Sequence, residues 1–148
     1  MATNANPKFF SVNEANLALQ DLRATLPALR RTLREIEAME GRLEVLDLIC
    51  DRAVVASNVD LSEFLSAKVR YHEKITEFEG MLYHLENEGY LLRDLEKGVV
   101  HFPSRRGAKV VLLCWNEGEE RIAHWHTIEG ARSPGEDRRL TIEDWDAL

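Results

Sequence analysis

Two histidines one residue apart, His124 and His126, follow a turn that carries Glu119 and Glu120 in the stretch LLCWNEGEERIAHWHT, residues 112–127. On an extended strand, side chains at i and i+2 stand on one face roughly 6 to 7 Å apart. Both imidazoles could therefore reach one divalent ion, with a third ligand from Glu119, Glu120, His101 or Asp94. Cys114 is expected to stay outside that set. With a turn centred on Gly118, Cys114 lies opposite Ile122, and His126 is four residues further along, roughly 13 Å away at strand rise. The competing expectation is structural: His126 hydrogen-bonds to a backbone or carboxylate partner, His124 lies on the surface, and Glu119 accepts from turn N–H groups beside a Gly118 of positive φ.

Other chemistries have weaker footing in the residues. A reactive cysteine needs an electropositive, partly exposed setting, whereas Cys114 stands between leucines and a tryptophan and Cys50 lies on an apolar helical stripe. Both read as reduced, buried thiols. Two cysteines outside any C-x-x-C spacing indicate neither a disulfide framework nor a cysteine-rich zinc site. The second helix lacks the E-x-x-H pair of a carboxylate-bridged metal bundle. The basic residues Arg23, Arg30, Arg31 and Arg34, with Arg105, Arg106 and Lys109 at a strand turn, are the groups that could meet phosphates. Glu35, Glu37, Glu40 and Glu44 on the same helix are the expected intrahelical partners of those arginines. The formal net charge of −7 makes the surface as a whole repel nucleic acid and anionic membrane.

These residues are positioned by a chain whose period changes once. SVNE at residues 11–14 has the form of a capping box, Ser11 and Glu14 each satisfying a backbone N–H at a helix start, with Phe10 as a hydrophobic staple. Leu19, Leu22, Leu26, Leu29, Leu33, Ile36, Leu43, Leu46 and Cys50 then recur at spacings of three and four, a stripe of coiled-coil type. Pro27 removes one hydrogen bond and predicts a kink or restart, and Gly41 is a second weak point. Asp60 with Glu63 offers another capping box. The second helix, with Leu61, Phe64, Leu65, Ile75, Phe78, Leu82 and Leu85, ends where Gly89 suits the C′ position.

After Gly89 the pattern becomes strand-like. YLLRDL, GVVHFP, KVVLLCW and RIAHWHTI are separated by EKG, SRRG and NEGE. The fold class is α+β: a long antiparallel helical hairpin followed by a three- to four-stranded antiparallel meander. One domain is expected over 1–148, with a loose lead-in (1–10), the helical hairpin (11–88), the sheet (89–130) and a C-terminal tail (131–148) that is mostly loop, Thr141 capping a last turn around Trp145. VVLLCW is apolar on both faces, so that strand should be covered twice, by the helices on one side and by the tail with Trp145 or a second subunit on the other. No run approaches the ~18 apolar residues of a spanning helix, and the N-terminus has no apolar leader-like stretch; a cytoplasmic location is expected.

The segments RDLEKGVVHFP and LCWNEGEERIAHWH, with FSVNEAN and Pro27 upstream, resemble the bacterial family known as domain of unknown function 2203. The resemblance covers nearly the whole chain, and its pattern falls on Glu14, Ala15, Asn16, Pro27, Asp94, Gly98, Phe102, Pro103, Cys114, Trp115, Gly118, Glu119, Ile122, Trp125 and His126. The family usually has an acidic residue before Phe-Pro, where this chain has His101, and a shorter G-x-x-x-R ending. It implies no activity.

The expected function is that of a homodimeric interaction or scaffold protein without catalysis, its dimer formed through apolar surface on the helices, the sheet or both. No cofactor is expected; a divalent metal belongs to the alternative reading. The alternative is a metal- or acidic-ligand-binding protein, or small enzyme, in which His126, Glu119, Asp94 and Arg138 or Arg139 converge. A second alternative is weak nucleic-acid binding through Arg23, Arg30, Arg31 and Arg34.

Overall fold

The first helix begins where its N-cap chemistry puts it. Ser11 Oγ accepts from the Glu14 N–H at 3.1 Å, and Glu14 Oε1 accepts from the Ser11 N–H at 3.1 Å. These bonds from Ser11 hold the Glu14 carboxyl below its ordinary range. Helix α1 (Val12–Arg52) and helix α2 (Val59–Glu88) are followed by β1 (Leu91–Asp94), β2 (Val99–Arg106), β3 (Lys109–Asn116), β4 (His124–Thr127) and β5 (Arg138–Arg139). This computed structural model describes residues 8–52, 59–128 and 138–139, with the backbone alone at 49–52, 59–61 and 138–139. The expected roles of Cys50, Thr141 and Trp145 lie outside what is described.

α1 does not restart at Pro27; the helix runs through it. Leu26 and Leu29 are fully buried on either side while Pro27 itself is exposed. The carbonyl that loses its partner therefore sits on the wet face, where water can satisfy it. Gly41 interrupts nothing either. α2 spans Val59–Glu88, and the Glu63 carboxylate pairs with Arg42; the side chain of Asp60, the other half of the expected capping box, lies outside what is described. The other end of α2 matches expectation. Gly89 has φ +91°, its N–H donates to Glu86 O at 3.0 Å, and the Tyr90 N–H donates to Leu85 O at 3.0 Å, the paired bonds of a Schellman cap. Leu85 and Tyr90, the positions where such a cap places apolar side chains, are both buried.

The chain divides into two compact units. One is Pro27–Leu82; the other is built from the chain up to Leu26 and from Tyr83 onward. In the helical unit, Lys74 pairs with Glu35 at 2.9 Å, Tyr71 donates to Glu40 at 3.1 Å and Arg42 pairs with Glu63. Partner numbers fall along α2 as they rise along α1, so the helices are antiparallel. Among its described residues Leu29, Thr32, Ile36, Leu46 and Ala67 are buried, whereas Phe64, Tyr71, Ile75, Phe78 and Met81 are only half-buried.

Among the described residues of the other unit, five strands form one antiparallel sheet in the order β1-β2-β3-β4-β5. All four expected strands are present, and Arg138–Arg139, expected as loop, adds a fifth on β4. β2 and β3 are joined by Gly107–Ala108, with Gly107 at φ +63°. A two-residue turn with only its first position at positive φ matches type II′, whose twist suits a hairpin.

Alternation sorts the side chains onto two faces. Val100, Phe102, Ser104, Val111, Leu113, Trp115 and Trp125 are buried on one. Phe10 packs its ring on Phe102 and Tyr90, its N–H donates to Pro103 O at 2.7 Å, and its carbonyl accepts from Ser104 Oγ at 2.5 Å. Arg23 of α1 lies over the Trp115 ring. The second face carries His101, Cys114 and His126.

Candidate functional site

The second face is where the chemistry-bearing residues meet. The tight turn at Gly107–Ala108 sets His101 of β2 directly across from Cys114 of β3. On the other side of β3, Cys114 faces His124 and Leu112 faces His126. His126 is thus the diagonal neighbour of Cys114, about 7 to 8 Å away between backbones, and not four residues removed. The expected exclusion of Cys114 is overturned.

Its physical reason is the β3–β4 connection. Residues 121–123, expected as strand, leave the sheet, and the Ile122 N–H donates to Asn16 Oδ1 of α1 at 2.8 Å. Arg23 Nη2 donates to the carbonyls of Glu119 and Glu120 at 3.3 and 2.8 Å. Trp115 Nε1 also donates to Glu119 O at 3.0 Å. The loop is shaped by contacts with α1, and pairing resumes two residues later than a hairpin centred on Gly118 would allow.

At the centre of the face, His101 Nε2 and His126 Nε2 are 3.2 Å apart, their rings meeting edge to face. One ligand atom each from His101, Cys114 and His126 lie within 4.8 Å of one another. The residues are 5, 3 and 5 % exposed. Two imidazole nitrogens and a sulfur are the donors of borderline-soft cations, zinc above all, rather than of calcium or magnesium. The same burial removes Cys114 from nucleophilic chemistry on an outside substrate.

The other expected ligands go elsewhere. His124 Nδ1 lies 3.6 Å from Glu119 Oε2, turned toward the loop. Glu119 Oε1 accepts from the Asn116 N–H at 2.7 Å and from Asn116 Nδ2 at 3.3 Å, beside Gly118 at φ +105°. This is the turn-holding use of Glu119. Asp94 Oδ1 accepts from the Lys97 N–H at 2.9 Å, and β1 stands three strand spacings from β4, roughly 14 Å. Asp94 therefore does not converge with His126. Arg138 and Arg139 pair in register with Trp125 and His124. Of the helical arginines, Arg23 ties the loop, and Arg31 and Arg34 are exposed. Glu120 lines an open cleft with Asn13, Asn16 and Arg121, apart from the histidines.

A second polar group ties the two helices within this unit. Asp21 accepts from Thr25 Oγ1 at 3.2 Å and from the Tyr90 hydroxyl at 3.3 Å, and lies 2.8 Å from His84 Nε2. Burial, then the charges of Asp21 and Glu88, push the Tyr90 phenol up to about 12. Sequence periodicity gave no sign of this group.

Fold and site define an α+β protein: a helical hairpin, then a meander one face of which holds a buried two-nitrogen, one-sulfur cluster. The profile of a family described as an uncharacterized conserved protein, DUF2203, matches residues 8–137, and the chain belongs to this family. No curated protein and no solved structure matches it. No described helix is long and apolar enough to cross a membrane.

Proposed function

We propose that this protein works by association and not by catalysis: a cytoplasmic homodimer serving as an interaction or scaffold protein, joined through its helical unit. The observation that supports this is the apolar surface the unit leaves in water. Val45, Leu48, Leu65 and Val69 are 48 to 61 % exposed. Two helices can bury only the stripe each turns to the other. A second hairpin, forming a four-helix arrangement, covers the next stripe.

The magnitude sets the expected strength. Covering these half-wet side chains is worth roughly 1 kcal/mol each, so about 8 kcal/mol over two protomers, against an association cost of at least about 4 kcal/mol. A reversible dimer results, tightened where half-buried Phe64, Phe78 and Met81 join the contact. Sedimentation across a wide concentration range tests it. The native chain should pass from monomer to dimer, and the double variant Leu65→Lys, Val69→Lys should stay monomeric with unchanged helical circular dichroism. A native chain that remains monomeric at the highest concentration refutes the proposal.

A further inference from the structure

We propose that His101, Cys114 and His126 form a binding site for one zinc-class divalent ion that joins strands β2, β3 and β4. The inference does not depend on self-association.

The geometry carries it. A tetrahedral zinc with bonds of about 2.0 to 2.1 Å to nitrogen and about 2.3 Å to sulfur holds its nitrogens roughly 3.3 Å apart and its sulfur roughly 3.6 Å from each. The two Nε2 atoms already stand at 3.2 Å. No donor of the three is more than 4.8 Å from another, so closing the sulfur edge needs about 1 Å of movement, within reach of a rotamer adjustment on a fixed backbone.

The backbone is fixed by a two-residue turn on one side of β3 and by the loop bonds of Asn16 and Arg23 on the other. The donors come from three adjacent strands, at positions that alternation keeps on one face. They are preorganised by the sheet itself rather than by loops.

The chemistry agrees. Donor groups as buried as these three hold a cation with little water competing for it. On binding, the thiol of Cys114 loses its proton to solvent and its sulfur bonds to the metal. Both imidazoles bind as neutral rings, so a proton carried on a ligating nitrogen in the metal-free pair must move to the other nitrogen of its ring. Three protein donors leave a fourth tetrahedral position for water or an external ligand. His124, the direct neighbour of Cys114, is held toward Glu119 and is not assigned to the set.

The test uses the full chain, reduced and stripped of metal with a chelator. Titration with cobalt(II) should give one equivalent bound, with the strong visible bands of a tetrahedral ion and a sulfur-to-cobalt charge-transfer band in the near ultraviolet. Zinc should displace it. Cys114→Ser should lose the charge-transfer band, and His101→Asn or His126→Asn should weaken binding at least tenfold. Alkylation mapped at each cysteine needs no variant: zinc at about ten times its Kd should slow labelling of Cys114 roughly tenfold. Cobalt binding whose spectrum is indifferent to Cys114→Ser, or labelling of Cys114 that zinc does not slow, overturns the assignment and leaves the histidines as a hydrogen-bonded pair.

Discussion

Gly98 is the residue on which the β2–β3 pairing can be tested most sharply. It is buried at the turn between β1 and β2, its carbonyl accepts the Glu117 N–H at 2.7 Å, and its φ is +70°. A Cβ added there would collide with Glu117 Cβ and lie 2.5 Å from Oε1 and 3.2 Å from Cδ. The nearest obstacle is the root of the side chain, which cannot swing aside without moving its backbone. Gly98→Ala therefore carries two costs, about 1 kcal/mol for an L-residue in the left-handed region and about 1 to 3 kcal/mol for the overlap. Gly107 separates them. Its φ is +63°, and an added Cβ meets nothing within 4 Å, so Gly107→Ala carries the conformational cost alone, about 1 kcal/mol. The quantity to measure is the difference between the variants in urea unfolding, followed by helical circular dichroism and by tryptophan fluorescence so that coincident transitions establish two-state behaviour. Gly98→Ala should be less stable than Gly107→Ala by about 1 to 3 kcal/mol, or about 2 to 4 °C in Tm per kcal/mol. Equal destabilisation within about 0.5 kcal/mol would mean that Glu117 does not abut Gly98 and that the reasoning about this edge is wrong.

Two further outcomes test other parts of the second unit. Glu119→Ala leaves the Asn116 N–H without its acceptor and should destabilise the protein by about 1 to 2 kcal/mol, whereas Glu119→Gln, which keeps an accepting oxygen, should have a smaller effect in the same unfolding assay. The Tyr90 phenol titrates at about 12 in the folded chain, above its ordinary value of 10. Because the folded value is the higher one, its contribution is complete below pH 10 and is lost as pH rises toward 12. Stability measured against pH should fall over that window, and Tyr90→Phe should flatten the fall; an unchanged slope in the variant would assign the alkaline loss to other groups.

Much of this architecture is local in origin and so was readable in the chain. The reciprocal bonds of Ser11 and Glu14, the left-handed Gly89 after Leu85, and the leucines from Leu19 to Leu46 each depend on neighbours within a turn or two. The pairing of His101 with Cys114 was legible as well. Both are equidistant from Gly107–Ala108, and a two-residue turn admits no other register. The basic run in SRRG hides it, because reading all four residues as the turn ends β2 at Pro103 instead of Arg106.

What the amino-acid order alone determined is the two helices and the first four strands, their sequence along the chain, and which residues of each strand share a face, because helix caps, periodicity and tight turns act over a few residues. What only the tertiary structure decided is which strand residues stand opposite one another across β3 and β4. That register follows from Asn16 and Arg23, roughly a hundred positions away, holding the loop at Ile122, Glu119 and Glu120. Bonds between residues so distant have no period to announce them. They move His126 by two places along the strand, and that step brings its imidazole to the sulfur of Cys114.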